Sequence, residues 1–305
     1  MWFKNCHIYQ IPDSFKLSAD EFAEKLEAQR FKPCARTADK TIGWVSPIHR
    51  NKDYLIHAAG GCILFCMRKE QKMIPASAIK EALEEKITAM QDDLGRKIYS
   101  KEKQTIKEDI VSIMLPNAFP RSSHIKAYID TKNRLLIIDA TSPAQVDEFY
   151  ELLLESIGSF GAMQFIADEN PGSIMNQWIF NGTPQDWLLS GEYLLKEPKD
   201  ERVARFKDND SENHYVADLL KDGYLINRLG IHFKSLLQAT VQDDLQIKGI
   251  KFNDELLKEN DELSSEEEIV KFDADFALMT AALADFIDSI REIFKVKKIQ
   301  SDHTN

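Results

Sequence analysis

The residues whose types could do metal or acid–base chemistry are few and poorly arranged for it. Cys62 and Cys66 are four apart. In an extended strand that step puts both thiols on one face, and neither a histidine nor a second cysteine pair lies near enough in sequence to complete a tetrahedral site. Core packing is the plainer reading. The seven histidines are scattered, and none sits in an H-E-x-x-H or H-x-E arrangement. Gly60-Gly61 lacks the further glycines and the Lys-Ser/Thr of a phosphate-cradling loop, so it reads as turn chemistry. There is no G-x-S-x-G elbow, and Glu266-Glu267-Glu268 reads as a solvated helix start and not as a catalytic carboxylate pair. The sequence therefore predicts no catalytic residue, no metal site and no cofactor.

The pattern that does suggest chemistry is basic residues interleaved with aromatics, a combination suited to neutralising phosphates. Arg96, Lys97, Tyr99, Lys101 and Lys103 crowd one junction, Lys107 follows, and Phe119, Arg121 and Lys126 come after a proline. Over residues 94–134 nine basic residues meet four acids, a local balance of +5. Over residues 243–275 twelve acids meet four lysines, a balance of −8. The whole chain carries −11, which argues against a surface coated in positive charge. Phosphate contact depends instead on cations gathered within a Debye length of about 10 Å, so a segregated chain of this sign remains compatible with nucleic acid.

The elements that must position these groups belong to a sizeable globular chain of 305 residues, 43% of them apolar. Four cysteines in apolar surroundings point to a reducing compartment, not a disulfide framework. Lys4, Asn5 and Gln10 interrupt any signal-like apolar run at the start, and no apolar stretch approaches the roughly 20 residues of a membrane span. A cytoplasmic protein without membrane contact is expected.

Asn5–Ile11 alternates as a strand, and Ser18 with Glu21 forms a capping box opening a helix over 19–29. Thr41–Val45 and Tyr54–Met67, broken at Gly60-Gly61, read as strands. Helices follow from Pro75 to Gly95 and over 101–114, the second stopped by Pro116. A hairpin of His124–Ile129 and Arg134–Asp139 leads to a helix from Pro143, capped by Ser142, to Ile157. Further on come a strand over 162–167, a helix over 173–180, a polar linker, a strand over 198–207, a helix over 215–221 and a strand meander over 224–250. An acidic segment over 253–268, an amphipathic helix over 272–294 and a frayed tail close the chain. The order favours an α+β fold with mixed or antiparallel sheets and a projecting helical subdomain. It divides into an α+β base over 1–75, a helical tip over 76–120 and a central and C-terminal α+β region over 121–305.

Several segments together resemble one known family. The opening MWFKNCHIYQI, GWVSP at Gly43–Pro47, CMRKEQKMIPASAIKEALEEKI at Cys66–Ile87, LPNAFPRSS at Leu115–Ser123, AYIDT at Ala127–Thr131 and FDADFALMTAALADFI at Phe272–Ile287 are similar, in order, to the RdgC family of recombination-associated proteins. The resemblance implies a non-enzymatic, nucleoid-associated protein that binds double-stranded DNA with little sequence preference. It implies a homodimer closed as a ring around the duplex, antagonism of RecA and a role in replication and repair. Phe119 and Arg121 match the family's aromatic-basic turn at an interface or DNA-contacting tip, with Asn117 replacing a basic residue usual there. Arg205 and Lys207 match its basic strand before a helix, diluted by Asp208 and Asp210, and Arg228 and Lys234 match the meander. The competing reading is a protein-interaction module whose acidic segment and terminal helix dock on RecA, with DNA secondary.

Overall fold

A computed structural model of the chain describes residues 1–48, 53–200, 202–207, 214–258, 268–297 and 299. Its organising element is β1 (Asn5–Gln10), which pairs antiparallel with β6 (Leu135–Asp139) through His7–Gln10 and with β12 (Ile247–Phe252) through Asn5 and Cys6. On the β6 side the sheet runs through β5 (Phe119–Asp130) and β4 (Cys62–Met73) to β2 (Lys40–Val45), with β3 (Ile56–Ala59) also on β4. On the β12 side it runs through β11 (Leu237–Gln242), β10 (Leu225–Phe233) and β8 (Trp187–Lys196) to β9 (Val203–Phe206). All named strand pairs are antiparallel, so the α+β class holds and the sheet is not a mixed one.

Side-chain alternation decides which helix covers which side. Ile63, Phe65, Met67, Leu136 and Ile138 pack under α1 (Ala19–Glu27) and α4 (Pro143–Ile157). Cys62, Leu64, Leu135, Ile137 and Ile8 point the other way, into a core shared with Leu229, Ile231 and Val241. That core is roofed by α8 (Glu268–Ile293), whose Phe276, Met279, Leu283, Phe286 and Ile290 are buried, together with α5 (Pro171–Asn181) and α6 (His214–Lys221). Each large side chain so buried is worth about 1.5–3 kcal/mol. The indole N–H groups buried with them are answered: Trp44 Nε1 donates to Ser156 Oγ and Trp187 Nε1 to Ser289 Oγ, both at 2.8 Å. A third, small core of Ile98, Ile106 and Ile110 joins α2 (Ala76–Leu94) to α3 (Ser100–Met114).

The capping box at Ser18 and Glu21 forms as expected, and Gly95 ends α2 in the left-handed region at φ 61°. Other expectations need correction. Strands β4 and β5 are longer than their apolar runs, pairing without a break from Cys62↔Asp130 to Met73↔Phe119. Pro120 is tolerated because β6 pairs only with residues 126–130 of β5, leaving the outer half at an edge. Ser142 makes no side-chain cap; Thr141 Oγ1 donates to Gln145 Oε1 instead. The strand expected over 162–167 shrinks to β7 (Met163–Gln164), because β1 offers it only Tyr9 and Gln10. The supposed polar linker contains β8, a central strand of its half-sheet. The tail is held as far as Val296, which is buried and bridged to Ala167. Asp208, Asp210, residues 259–267 and residues 300–305 lie outside the described residues.

Candidate nucleic-acid interface

The structure disperses the basic stretch that stands out in the sequence. Arg96 follows the Gly95 turn and donates both terminal nitrogens to Glu102, at 2.7 and 3.1 Å. Glu102 also accepts the Tyr99 backbone N–H, and these bonds draw its carboxyl down to about 2. Arg96 is thus occupied in closing the helix hairpin. Lys97, Lys101, Lys103 and Lys107 are exposed, but Glu108 and Asp109 alternate with them on α3, and α2 packs alongside with five acids, Glu81, Glu84, Glu85, Asp92 and Asp93, against two lysines, Lys80 and Lys86. A window drawn along the chain misses those acids because they precede it in sequence.

Phe119 and Arg121 lie in strand β5 and not in a turn, opposite Met73 and Gln71. Phe119 is 85% exposed and Met73 52%, so the far end of the β4–β5 ribbon presents an apolar pair to solvent. Lys126 is half-buried. It shares a cavity of about 450 Å3 with Arg30, Arg68 and His124, where Arg68 stacks 4.4 Å over the Phe31 ring and donates to Glu70 at 2.9 Å. Lys234 is taken up by Asp285 of α8 at 2.6 Å, so it ties the helix to the sheet.

One group does converge. Arg205 and Arg228 both stand opposite Leu194 of β8, from β9 and β10. Together with Lys207 and Lys248 they line a cavity of about 160 Å3 on the side of the half-sheet that α8 does not cover. Glu192 is the single acid among the residues of that lining. Lys251, exposed, continues the same face: Gly249 at φ 62° inserts an extra residue into β12, so that Lys248 pairs with Thr240 and Lys251 with Gln238 on one side. Sequence reasoning misses Lys248 and Lys251; the I-K-G-I-K pattern with a glycine bulge is the signal that finds them. Lys126 falls on the opposite side of the sheet, since its neighbour two residues on, Tyr128, packs into the core beneath α8, whereas Lys248 alternates away from Ile247 in that core.

The arrangement suits phosphate. Arg205, Arg228 and Lys248 are held on strands about 4.7–4.9 Å apart in the pairing direction, with Lys207 directly after β9, and strands set such a row more reproducibly than loops do. Among the described residues no three His, Cys, Asp or Glu side chains are gathered in a metal-holding group, and no helix is long and apolar enough to cross a membrane. Cys66 is buried and its thiol is pushed up to about 12, chiefly by that burial, which leaves it unreactive.

Comparison with known proteins gives a match over nearly the full length. The profile described as "Putative exonuclease, RdgC" matches residues 1–297. The "Recombination-associated protein RdgC" of Aeromonas hydrophila subsp. hydrophila is 36% identical over 292 residues, covering 95% of this chain and 96% of that protein. That of Tolumonas auensis is 34% identical over 292 residues, 95% of this chain and 97% of its own. That of Salmonella typhimurium is 36% identical over 295 residues, 96% of this chain and 97% of its own.

Proposed function

Since the chain belongs to the RdgC family of recombination-associated proteins, we propose that it is a nucleoid-associated, non-catalytic binder of double-stranded DNA, without sequence preference, that restrains RecA-dependent recombination at sites of replication and repair. The observation that carries this reading is the row of Arg205, Lys207, Arg228 and Lys248 on an open sheet face of a chain whose net charge is −11. Local cations bind phosphate while the acidic remainder discourages other contacts. Non-specific affinities of roughly 10⁻⁴ to 10⁻⁶ M require only several phosphate contacts, and a two-fold dimer doubles what one chain offers. The exposed Phe119 and Met73 at the ribbon end are suited to self-association, and closure of two copies into a ring would place the row of each around one duplex.

The alternative, direct docking of the terminal helix on RecA, is weakened because the apolar stripe of α8 is spent in the core; only its outer face is free for a partner. Fluorescence anisotropy with a labelled duplex tests the reading. Log affinity falls linearly with log salt, and Arg228→Ala with Lys248→Ala lowers the magnitude of the slope by about one for each phosphate that is no longer neutralised. An unchanged slope in the double variant would remove this face from the interface. Divalent-metal-dependent release of nucleotides from the same duplex would reverse the non-catalytic reading.

A further inference from the structure

Gly43 of β2 stands opposite Arg68 of β4, and a methyl group in its place would come within 2.5 Å of the Phe31 backbone. The bare glycine lets the segment after α1 lie against β2, where the Phe31 N–H donates to the Trp44 carbonyl and the Trp44 N–H to the Gln29 carbonyl, both at 2.9 Å. Phe31 thereby reaches Arg68, whose guanidinium stacks on its ring. Phe31, Val45, Pro47 and Ile48 make the apolar wall of the cavity of about 450 Å3 that Lys126 also lines, a volume within the range of small-molecule sites.

The cations of this lining are unequally committed. Arg30 is held by Glu27, and Arg68 donates through Nη2 to Glu70 at 2.9 Å and to Ser122 at 3.0 Å. Glu70 is itself buried and accepts the Cys34 N–H. The Arg68 side chain is thus fixed in place, while its Nη1 makes no hydrogen bond among the described residues. Lys126 has no salt bridge among the described residues. Asp139, across the strand pair from it, accepts instead from the Asn5 side chain and from the backbone N–H groups of Lys4 and Asn5. Arg68 pairs with His124 and Lys126 with Cys66, so Arg68 and Lys126 are diagonal neighbours on one face, about 7–8 Å apart and within reach of each other's long side chains. Among the described residues no acid lines the cavity. With Glu27 set against Arg30 and Glu70 against Arg68, the charge of Lys126 is left over.

We propose that this cavity binds an organic monocarboxylate, its oxygens taken by Lys126 Nζ and Arg68 Nη1 and its apolar body laid against Phe31, Val45, Pro47 and Ile48. One surplus positive charge matches a carboxylate better than a phosphate monoester, which carries about −1.5 to −2 at neutral pH. Both donors are ionised, so each bond to the carboxylate is charge-assisted. The same chemistry is offered by the C-terminal carboxylate of a peptide ending in an apolar residue and by a free aryl or alkyl acid. The site stands apart from the proposed DNA face, because Arg68 and Lys126 lie on the side of the sheet opposite Lys248.

Calorimetry on the full chain compares N-acetyl-phenylalanine, 3-phenylpropionate, the neutral N-acetyl-phenylalanine amide and phenyl phosphate. Lysine ¹³Cε resonances report the contact, that of Lys126 being assigned by its loss in Lys126→Gln. One or both carboxylates bind and move the Lys126 signal, and the amide binds at least tenfold more weakly. Tighter binding of N-acetyl-phenylalanine assigns the cavity to a peptide terminus, and tighter binding of 3-phenylpropionate assigns it to a free acid. Lys126→Gln weakens the carboxylate by about tenfold, equivalent to 1.4 kcal/mol. Thermal melts matched to the parent establish that this variant is folded; if it is not, the comparison of carboxylate with amide on the parent chain carries the test. Lysine signals indifferent to both carboxylates, an amide that binds as tightly, phenyl phosphate bound tenfold more tightly than either acid, or parent-like affinity in folded Lys126→Gln overturns the proposal. Duplex binding by Lys126→Gln keeps the parent's salt slope, so this result is separable from that of the DNA reading; a lowered slope would make the cavity part of the nucleic-acid interface and overturn the proposal as well.

Discussion

At the scale of single residues, protonation separates the buried groups from the exposed ones. His7 has its pKa lowered from 6.5, first by burial and then by Lys248, with Asp244 opposing. In the unfolded chain it takes up its proton nearer 6.5, so as pH falls from there toward the lower folded value the unfolded state binds more protons and stability declines. Urea unfolding followed across that window, alongside ¹⁵N detection of His7, is expected to show stability rising with pH; a His7 that titrates at or above 6.5 in the folded chain contradicts this. Cys62 and Cys66 show how far residue-level reasoning reaches. Both are buried free thiols, as expected from the lack of other ligands around a four-residue step. His7 gives no such signal, because its isolation depends on where β12 leaves β1, and nothing near His7 in sequence records that.

At the scale of elements, legibility depends on whether the apolar pattern and the strand ends coincide. The capping box, Gly95 and the helix stopped at Pro116 are local signals, and α1, α2 and α3 follow them. Strand β8 escapes because Ser190, Gly191 and Glu192 split its apolar residues, and its pairing with β10 shifts register between Leu229 and Ile231, which breaks a period of two. The outer halves of β4 and β5 escape because they are polar and pair only with each other and β2. The α2–α3 hairpin has only three fully buried apolar residues, and none of them is on α2. Its opening free energy is therefore expected to fall below that of the two large cores. Amide hydrogen exchange is expected to show α2 exchanging before β4–β6 and β10–β12. Equal protection in both would mean that the hairpin is held by something other than its own packing.

At the scale of the whole molecule, charge is arranged by long-range pairing and not by segments of chain. The positive window over residues 94–134 falls from +5 to +2 once α2, with five acids and two lysines, lies beside α3, whereas Arg205, Arg228 and Lys248, far apart in sequence, meet through β8, β10 and β12. That is why the strand and meander residues are stronger candidates than the dense basic stretch. Encirclement by two such chains has a topological signature: dissociation from closed-circular duplex is expected to be slower than from linear duplex of equal length, since free ends let a ring slide off. Equal rates, followed by competitor challenge, would leave simple surface binding as the better description.

The double duty of β1 also bears on how the nascent chain matures. This strand is made before either partner, and one of its edges waits for β6 and the other for β12, which follows β6 in the chain. Until then β7 can cover only Tyr9 and Gln10 of that second edge, and its Asn5–Cys6 stretch stays open to pairing with a wrong neighbour. The two halves can therefore lock together only late, and slowing translation before β12 would lengthen the interval in which chaperones must shield that edge.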